Sequence, residues 1–421
     1  MLESKKVSLY LFNEHIADVY QIDDRVYLRQ FNASVHKASP LSIAKDINEI
    51  ETTSLVFQER VAGFVSDSLP GNFGNEILDN FFVQNNNGEK PTIIEKLLFI
   101  GNRGLGALEF RPAHEFDETL EKTLALKDIY EEAKKLKRGD HYKSIHSAFL
   151  VSAHSFVGGA RSKAVVAVNI DTNEVYLGDR TQEPPKDFIP AIVKYDDTQD
   201  GDENKSTYSK LEYIYYLLAK ESGIDMMECH LLESQNKHHF VTIRFDIENA
   251  KRYHVHSLAG LLHIDYNIPR TVGYEELLRV AVKLGATQSL KQLLLQMLFN
   301  YMFVNQDDHA RNFSFMCGED YKWRATPAYD ITFAKGVKQT KEHQLSLYNK
   351  ALSTITLKDV VDLATEFSID LEFVSESITK MKKLRDMQLP NLMKEHNVSE
   401  KKQIQVLEAV NKRDFQGGLD G

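Results

Sequence analysis

The chain has 421 residues, 42% apolar and 27% charged, the proportions of an ordinary globular protein long enough for two or three domains. Its 61 acidic and 51 basic residues leave a net charge of −10, which argues against a general electrostatic footprint for nucleic acid. The two cysteines, Cys229 and Cys317, make neither a disulfide framework nor a zinc site and fit a reducing compartment.

Residues 1–112 read as a β-rich N-terminal domain with a helical insert. Val7 to Phe12 and Arg25 to Leu28 are short β-branched and aromatic strands, with Asn13-Glu14 and Asp23-Asp24 as turn signals. Leu69-Pro70-Gly71 turns the chain, Asn75 to Phe82 is expected to be helical, and Gly101, Gly104 and Gly106 lead into the strand Leu108-Glu109-Phe110. No helix pattern follows those glycines directly, so they read as structural turns rather than as a phosphate cradle. Residues 113–145 form a charged connector, helical from Glu118 to Lys137.

Residues 146–250 read as a small lobe. Ala164 to Ile170 and Glu174 to Leu177 pair as a hairpin around Asp171-Thr172-Asn173. Phe188 to Lys194 and His239 to Asp246 are further strands, and Tyr208 to Ser222 is a helix. Residues 251–421 are mostly helical, the clearest helix running from Leu290 to Phe303 with a buried stripe of Leu290, Leu293, Leu294, Met297, Leu298 and Tyr301. The expected fold class is α+β, a small β-rich lobe followed by a helical lobe, behind the N-terminal domain. No apolar run reaches the length of a bilayer span and residues 1–10 lack a signal-peptide core, so a cytoplasmic chain without membrane contact is expected.

Chemistry concentrates in Asn305-Gln306-Asp307-Asp308-His309-Ala310-Arg311-Asn312 and in Ala328-Tyr329-Asp330-Ile331. Asp307 and Asn312 stand five residues apart, and Asp330 follows eighteen after Asn312. In protein kinases an aspartate against the acceptor hydroxyl, an asparagine five residues on and a later aspartate serve as base and two metal ligands. Asx-rich loops also merely turn and cap a chain, so the offset counts most when joined to upstream features.

Those features are present. Val157-Gly158-Gly159-Ala160-Arg161-Ser162-Lys163 offers small residues whose backbone N–H groups can approach phosphate oxygens, with two cations beside them. Lys194 ends an apolar strand where an ammonium could reach the α- and β-phosphates. Glu212, eighteen residues later on the next helix, is its orienting partner. His309 is grouped with the nucleotide-binding residues as a brace of the loop through hydrogen bonding, because magnesium prefers oxygen ligands. Asp308 is ambiguous, and Asp307 is taken as base because it alone has the offset to Asn312. His254-Val255-His256 and His238-His239 read as polar strand residues.

The ordered motifs resemble the HipA family of bacterial serine/threonine kinases, toxins of toxin–antitoxin pairs. Asp67-Ser68-Leu69-Pro70-Gly71-Asn72-Phe73-Gly74 is similar to the family's N-terminal signature and Gly104 to Leu108 to its GALxF segment. The 157–163 loop resembles VGGARPK, Asp307 to Asn312 matches DxHxKN, and Tyr329-Asp330 matches the metal-binding segment. The resemblance implies an N-terminal domain fused to a two-lobed kinase, ATP and Mg2+ as ligands, and protein serine or threonine as acceptor, with translation components among the targets. It also implies a small DNA-binding antitoxin as partner, with DNA contacted only through that complex. Ser162 departs from the family's proline. Phe156 stands where the family's autophosphorylated serine would, leaving Ser155 as the nearest candidate. A catalytically silent ATP- or protein-binding module and a small-molecule phosphotransferase of kinase-like fold are the alternatives, and the oligomeric state is open.

Overall fold

Alternating apolar residues build the first sheet. In the computed structural model, β1 (Lys5–Leu11) buries Val7, Leu9 and Leu11 while its alternate residues face outward. It turns through Phe12 and Asn13, both at positive φ, into β2 (Glu14–Ile22), and Asp23 at φ 52 leads into β3 (Arg25–Gln30). With β4 (Glu49–Glu51) and β5 (Leu108–Arg111) these strands form an antiparallel sheet in the order β4-β3-β2-β1-β5. Residues 14–22 carry no clean apolar alternation because Asp18 sits inside β2. That carboxylate is buried but accepts from Ser8 Oγ at 2.7 Å and Lys6 Nζ at 3.0 Å, which offsets its desolvation.

The structure describes residues 5–31, 33–41, 48–52, 60–113, 123–137, 151–154, 161–177, 183–196, 207–234, 236–249, 251–336 and 339–415. The chain divides into two units, the first being residues 1–197, 230–256 and 260–263, the second 198–229, 257–259 and 264–421.

The helices of the first unit include Asn72–Asn85, which contains the expected 75–82 segment, and Ile93–Ile100, opened by a Thr92/Glu95 capping box. The glycine turn after it is structural, as expected. Gly106 N–H donates to Asp246 Oδ2 at 2.6 Å, and the Arg252 guanidinium donates to the carbonyls of Asn102 and Gly104. Arg244 forks onto Asp246 at 2.9 and 2.6 Å, so the buried carboxylate is fully engaged.

The second sheet of this unit has the order β10-β11-β9-β7-β8-β6. Its members are β6 (Thr123–Ala125), β7 (Lys163–Asn169), β8 (Glu174–Tyr176), β9 (Ile189–Lys194), β10 (Cys229–Ser234) and β11 (Lys237–Ile243). The expected 118–137 helix is corrected in part. Residues 118–122 lie outside the described residues, Thr123–Ala125 is an edge strand paired with β8, and the helix runs over Leu126–Lys137.

In the second unit Thr207–Glu221 forms the expected helix. Leu290–Phe303 is buried on every side from Leu293 onward rather than along a stripe, and so is a central core helix. Tyr215 Oη ties to it, donating to the Phe303 carbonyl at 2.7 Å. The C-terminal helices Leu357–Glu366, Leu371–Lys383, Leu389–Glu395 and Glu400–Val410 pack as expected. Among the described residues no helix is long and apolar enough to cross a membrane.

Candidate active site

The helix Leu290–Phe303 ends at Val304, held at φ 57 and ψ 49. A β-branched residue resists that left-handed geometry, and such strain is tolerated only where surrounding contacts over-determine it. They do so here. Ala334 N–H donates to the Val304 carbonyl at 3.1 Å, and Gln306 N–H donates to the Ala334 carbonyl at 2.9 Å. Asn305 and Ala334 form a parallel bridge, and Asn305 Nδ2 donates to Asn300 Oδ1 at 3.0 Å. The chain therefore leaves the core helix in a fixed direction, straight into the polar loop 305–312.

Within that loop Asn312 Nδ2 donates to the Asp307 backbone carbonyl at 2.8 Å. The amide's donor side is thereby spent on the loop, and its Oδ1 is left as a hard oxygen donor of the kind a magnesium ion takes. Asp330 lies in a left-handed turn at φ 53. Its neighbour Tyr329 fastens this turn to the loop, with Oη 2.8 Å from the Arg311 carbonyl and 2.6 Å from Ser314 Oγ. Two residues upstream, Ala328 N–H donates to the Asp225 carbonyl at 2.7 Å. The predicted base and both predicted metal ligands thus stand on two segments of the second unit that are tied at either end. Among the described residues no three His, Cys, Asp or Glu side chains cluster to hold a metal. A magnesium ion that keeps waters and binds phosphate needs only one or two protein oxygens.

Asp308 has a different role from its neighbour. It is 1% exposed, and its carboxylate accepts from Tyr274 Oη at 2.7 Å, His343 Nδ1 at 3.0 Å and Gln344 N–H at 2.7 Å. Burial, with Asp308 beside it, holds the Tyr274 phenol well above its ordinary pKa, so it remains a donor. Asn300 Nδ2 in turn donates to Tyr274 Oη at 3.1 Å. Asp308 is the buried anchor of the loop and Asp307 the more accessible acid. His309 braces the loop by ring contact rather than by the expected hydrogen bond. Its ring lies 5.1 Å from that of Tyr266, over which Arg311 also sits at 5.5 Å, and its Nδ1 is buried without a partner among the described residues.

The phosphate-side residues divide between the units. Arg161, Ser162, Lys163 and Lys194 belong to the first, Glu212 to the second, where it is buried on the helix Thr207–Glu221. Lys163 and Lys194 are direct cross-strand partners of β7 and β9. Lys163 is 4% exposed, and Lys194 Nζ lies 5.6 Å from the Phe240 ring centroid. Ser155, Val157, Gly158, Gly159 and Ala160 lie outside the described residues.

A family model described as the HipA-like C-terminal domain matches residues 155–388, more than half of the chain. The chain belongs to the HipA-like family. The HipA fold extends beyond the matched segment. The structure of a Shewanella oneidensis MR-1 toxin–antitoxin complex of HipA, HipB and operator DNA matches 96% of this chain and 97% of the other. That match has 14% sequence identity and a TM-score of 0.67. A Helicobacter pylori proinflammatory kinase, CtkA, matches over 52% of this chain and 92% of its own at 14% identity and a TM-score of 0.32, too slight a likeness to carry an argument.

Proposed function

We propose that this HipA-family protein is an ATP- and magnesium-dependent serine/threonine protein kinase, acting as the toxin of a pair whose small DNA-binding antitoxin neutralises it. The observation that carries the reading is the frame holding Asp307, Asn312 and Asp330, in which Asn312 bonds back to the Asp307 carbonyl and Tyr329 joins the Asp330 turn to Arg311.

In the proposed reaction the acceptor hydroxyl oxygen bonds to the γ-phosphorus of ATP as the bridging bond to ADP breaks, and Asp307 receives the hydroxyl proton. Asn312 and Asp330 would hold magnesium, which supplies charge neutralisation at the phosphates when bound. Lys163, Lys194 and the 157–163 backbone would hold the phosphates, with Glu212 orienting Lys194. Ser155 is the proposed site of self-modification, where added negative charge would oppose ATP binding. The acceptor is proposed to be a protein, with a translation component as the first class to test, and contact with DNA to run through the antitoxin.

Transfer of labelled γ-phosphate from Mg-ATP, in host lysate and with purified protein alone, tests this. Asp307→Asn should lower transfer by at least about a hundredfold while leaving the thermal midpoint within a few degrees. Label on a discrete lysate protein, absent with the variant, supports the kinase. ATP binding with no label anywhere moves the silent binding module ahead, and label on small alcohols alone favours a small-molecule phosphotransferase.

A further inference from the structure

We propose that a cavity beside the catalytic loop receives an acidic side chain of the acceptor segment, so that the enzyme selects hydroxyls flanked by Asp or Glu. This rests on the kinase reading above and adds a substrate preference to it. The cavity has a volume of 480 Å³ and is lined by Arg270, Gln339, Lys341, Glu342, His343 and Gln344 among others, all within the second unit. Its lining includes His343 and Gln344, whose ring Nδ1 and backbone N–H hold the carboxylate of Asp308, the chain neighbour of the proposed base.

The charges around it are unbalanced. Arg270 and Lys341 are exposed, and among the described residues neither side chain has a hydrogen-bonding or acidic partner. Glu342 is the one acid in the lining, and it is already committed. Its carboxylate accepts from Ser353 Oγ, from Ser353 N–H at 3.3 Å and from His343 N–H at 2.9 Å. A local positive concavity on a chain of net charge −10 stands out against a field that repels acidic ligands.

The walls are also rigid. Arg270 N–H donates to the Gln344 carbonyl at 2.7 Å, and Gln344 Nε2 donates to the Glu342 carbonyl at 2.8 Å. In the amide orientation that satisfies both of its ends, Gln306 donates to the Thr340 carbonyl at 3.0 Å and accepts from Arg413 Nη2 at 3.2 Å. The backbone that carries the two cations is thereby held, so ordering on binding is confined to their side chains. Ile268, 55% exposed, stands between the lining residues Asn267 and Pro269, an apolar side chain beside the cavity that a peptide covers and a free anion does not.

The test uses labelled serine peptides of one length, with the residues flanking the serine set to Glu, Gln or Lys, and reads binding by fluorescence anisotropy on the full chain. The Glu-flanked peptide should bind about tenfold more tightly than the Gln-flanked one, the effect of one well-placed charge contact. The double variant Arg270→Glu with Lys341→Glu should abolish or invert that order, and its exposed side chains leave the core intact. Inorganic phosphate at the peptide's concentration should not displace it; displacement would mean a generic anion site and overturn the proposal. Equal or undetectable binding of the three peptides, or an order unchanged in the double variant, also overturns it. A parallel Mg-ATP assay separates the two readings. Acidic preference in binding without phosphate transfer to any peptide keeps the site and counts against the kinase, while transfer without acidic preference does the reverse.

Discussion

Asp307 and Asp308 are adjacent and chemically identical, and their surroundings give them opposite roles. Asp308 takes three hydrogen bonds in a fully buried site, whereas Asp307 lends its backbone carbonyl to Asn312 and stays more accessible. Removing the buried acid strands a phenol, an imidazole N–H and a backbone N–H together. Asp308→Ala should therefore destabilise the fold by about 3–5 kcal/mol, against less than about 1 kcal/mol for Asp307→Asn. Urea unfolding of the two variants decides this, and equal stabilities would remove the anchor assignment. The offset to Asn312 made Asp307 legible in the sequence. The role of Asp308 was not, because Tyr274 and His343 are 34 and 35 residues away and nothing local marks them as its partners.

At the scale of elements, the strand histidines show what a buried imidazole costs. Burial lowers His239 to about 4, and burial followed by the neighbouring His256 lowers His254 to about 4. His254 Nε2 lies 2.8 Å from the Ala38 carbonyl, and His239 Nδ1 accepts from the Asp196 N–H at 3.1 Å. Between them in role is His256, bridging Ser39 Oγ at 2.9 Å and Asp67 Oδ2 at 2.7 Å, so the Asp of the N-terminal signature is an interior latch. The unfolded rings take protons near pH 6.5 but the folded rings of His239 and His254 only near 4. Their contribution is therefore whole above about pH 6.5 and is lost as pH falls toward 4, on the order of 3 kcal/mol for each ring at the acid limit. Unfolding at pH 5 should accordingly take up about two protons at these sites, measurable by calorimetry in buffers of different ionisation enthalpy. Unfolding without proton uptake would mean that the rings are already charged in the fold.

For the whole molecule, the lysine pair of β7 and β9 belongs to the first unit and the Asp307–Asn312–Asp330 frame to the second. A ligand that binds only the folded chain stabilises it by mass action, about 2.7 kcal/mol at a hundred times its Kd. Saturating Mg-ATP should raise the melting temperature by several degrees, ATP with EDTA by clearly less, and Asp330→Asn should remove the magnesium-dependent part. An unchanged melting temperature in Mg-ATP, with no binding by direct titration, would take the nucleotide out of the proposed function.

The sequence by itself determined the α+β class, the strands and helices of strong periodicity, the structural nature of the Gly101–Gly106 turn and the family. Each of these rests on local spacing or on ordered short motifs. Only the tertiary structure decided which acid is anchored, how Tyr329 joins Asp330 to the loop, that Lys163 faces Lys194, and where His254 and His256 find partners. Asp67 and His256 are 189 residues apart, and the Lys163–Lys194 register depends on how β7 and β9 align. Pairings of that kind arise when the chain folds back on itself, and burial then makes each polar group find the donor or acceptor that distance along the chain concealed.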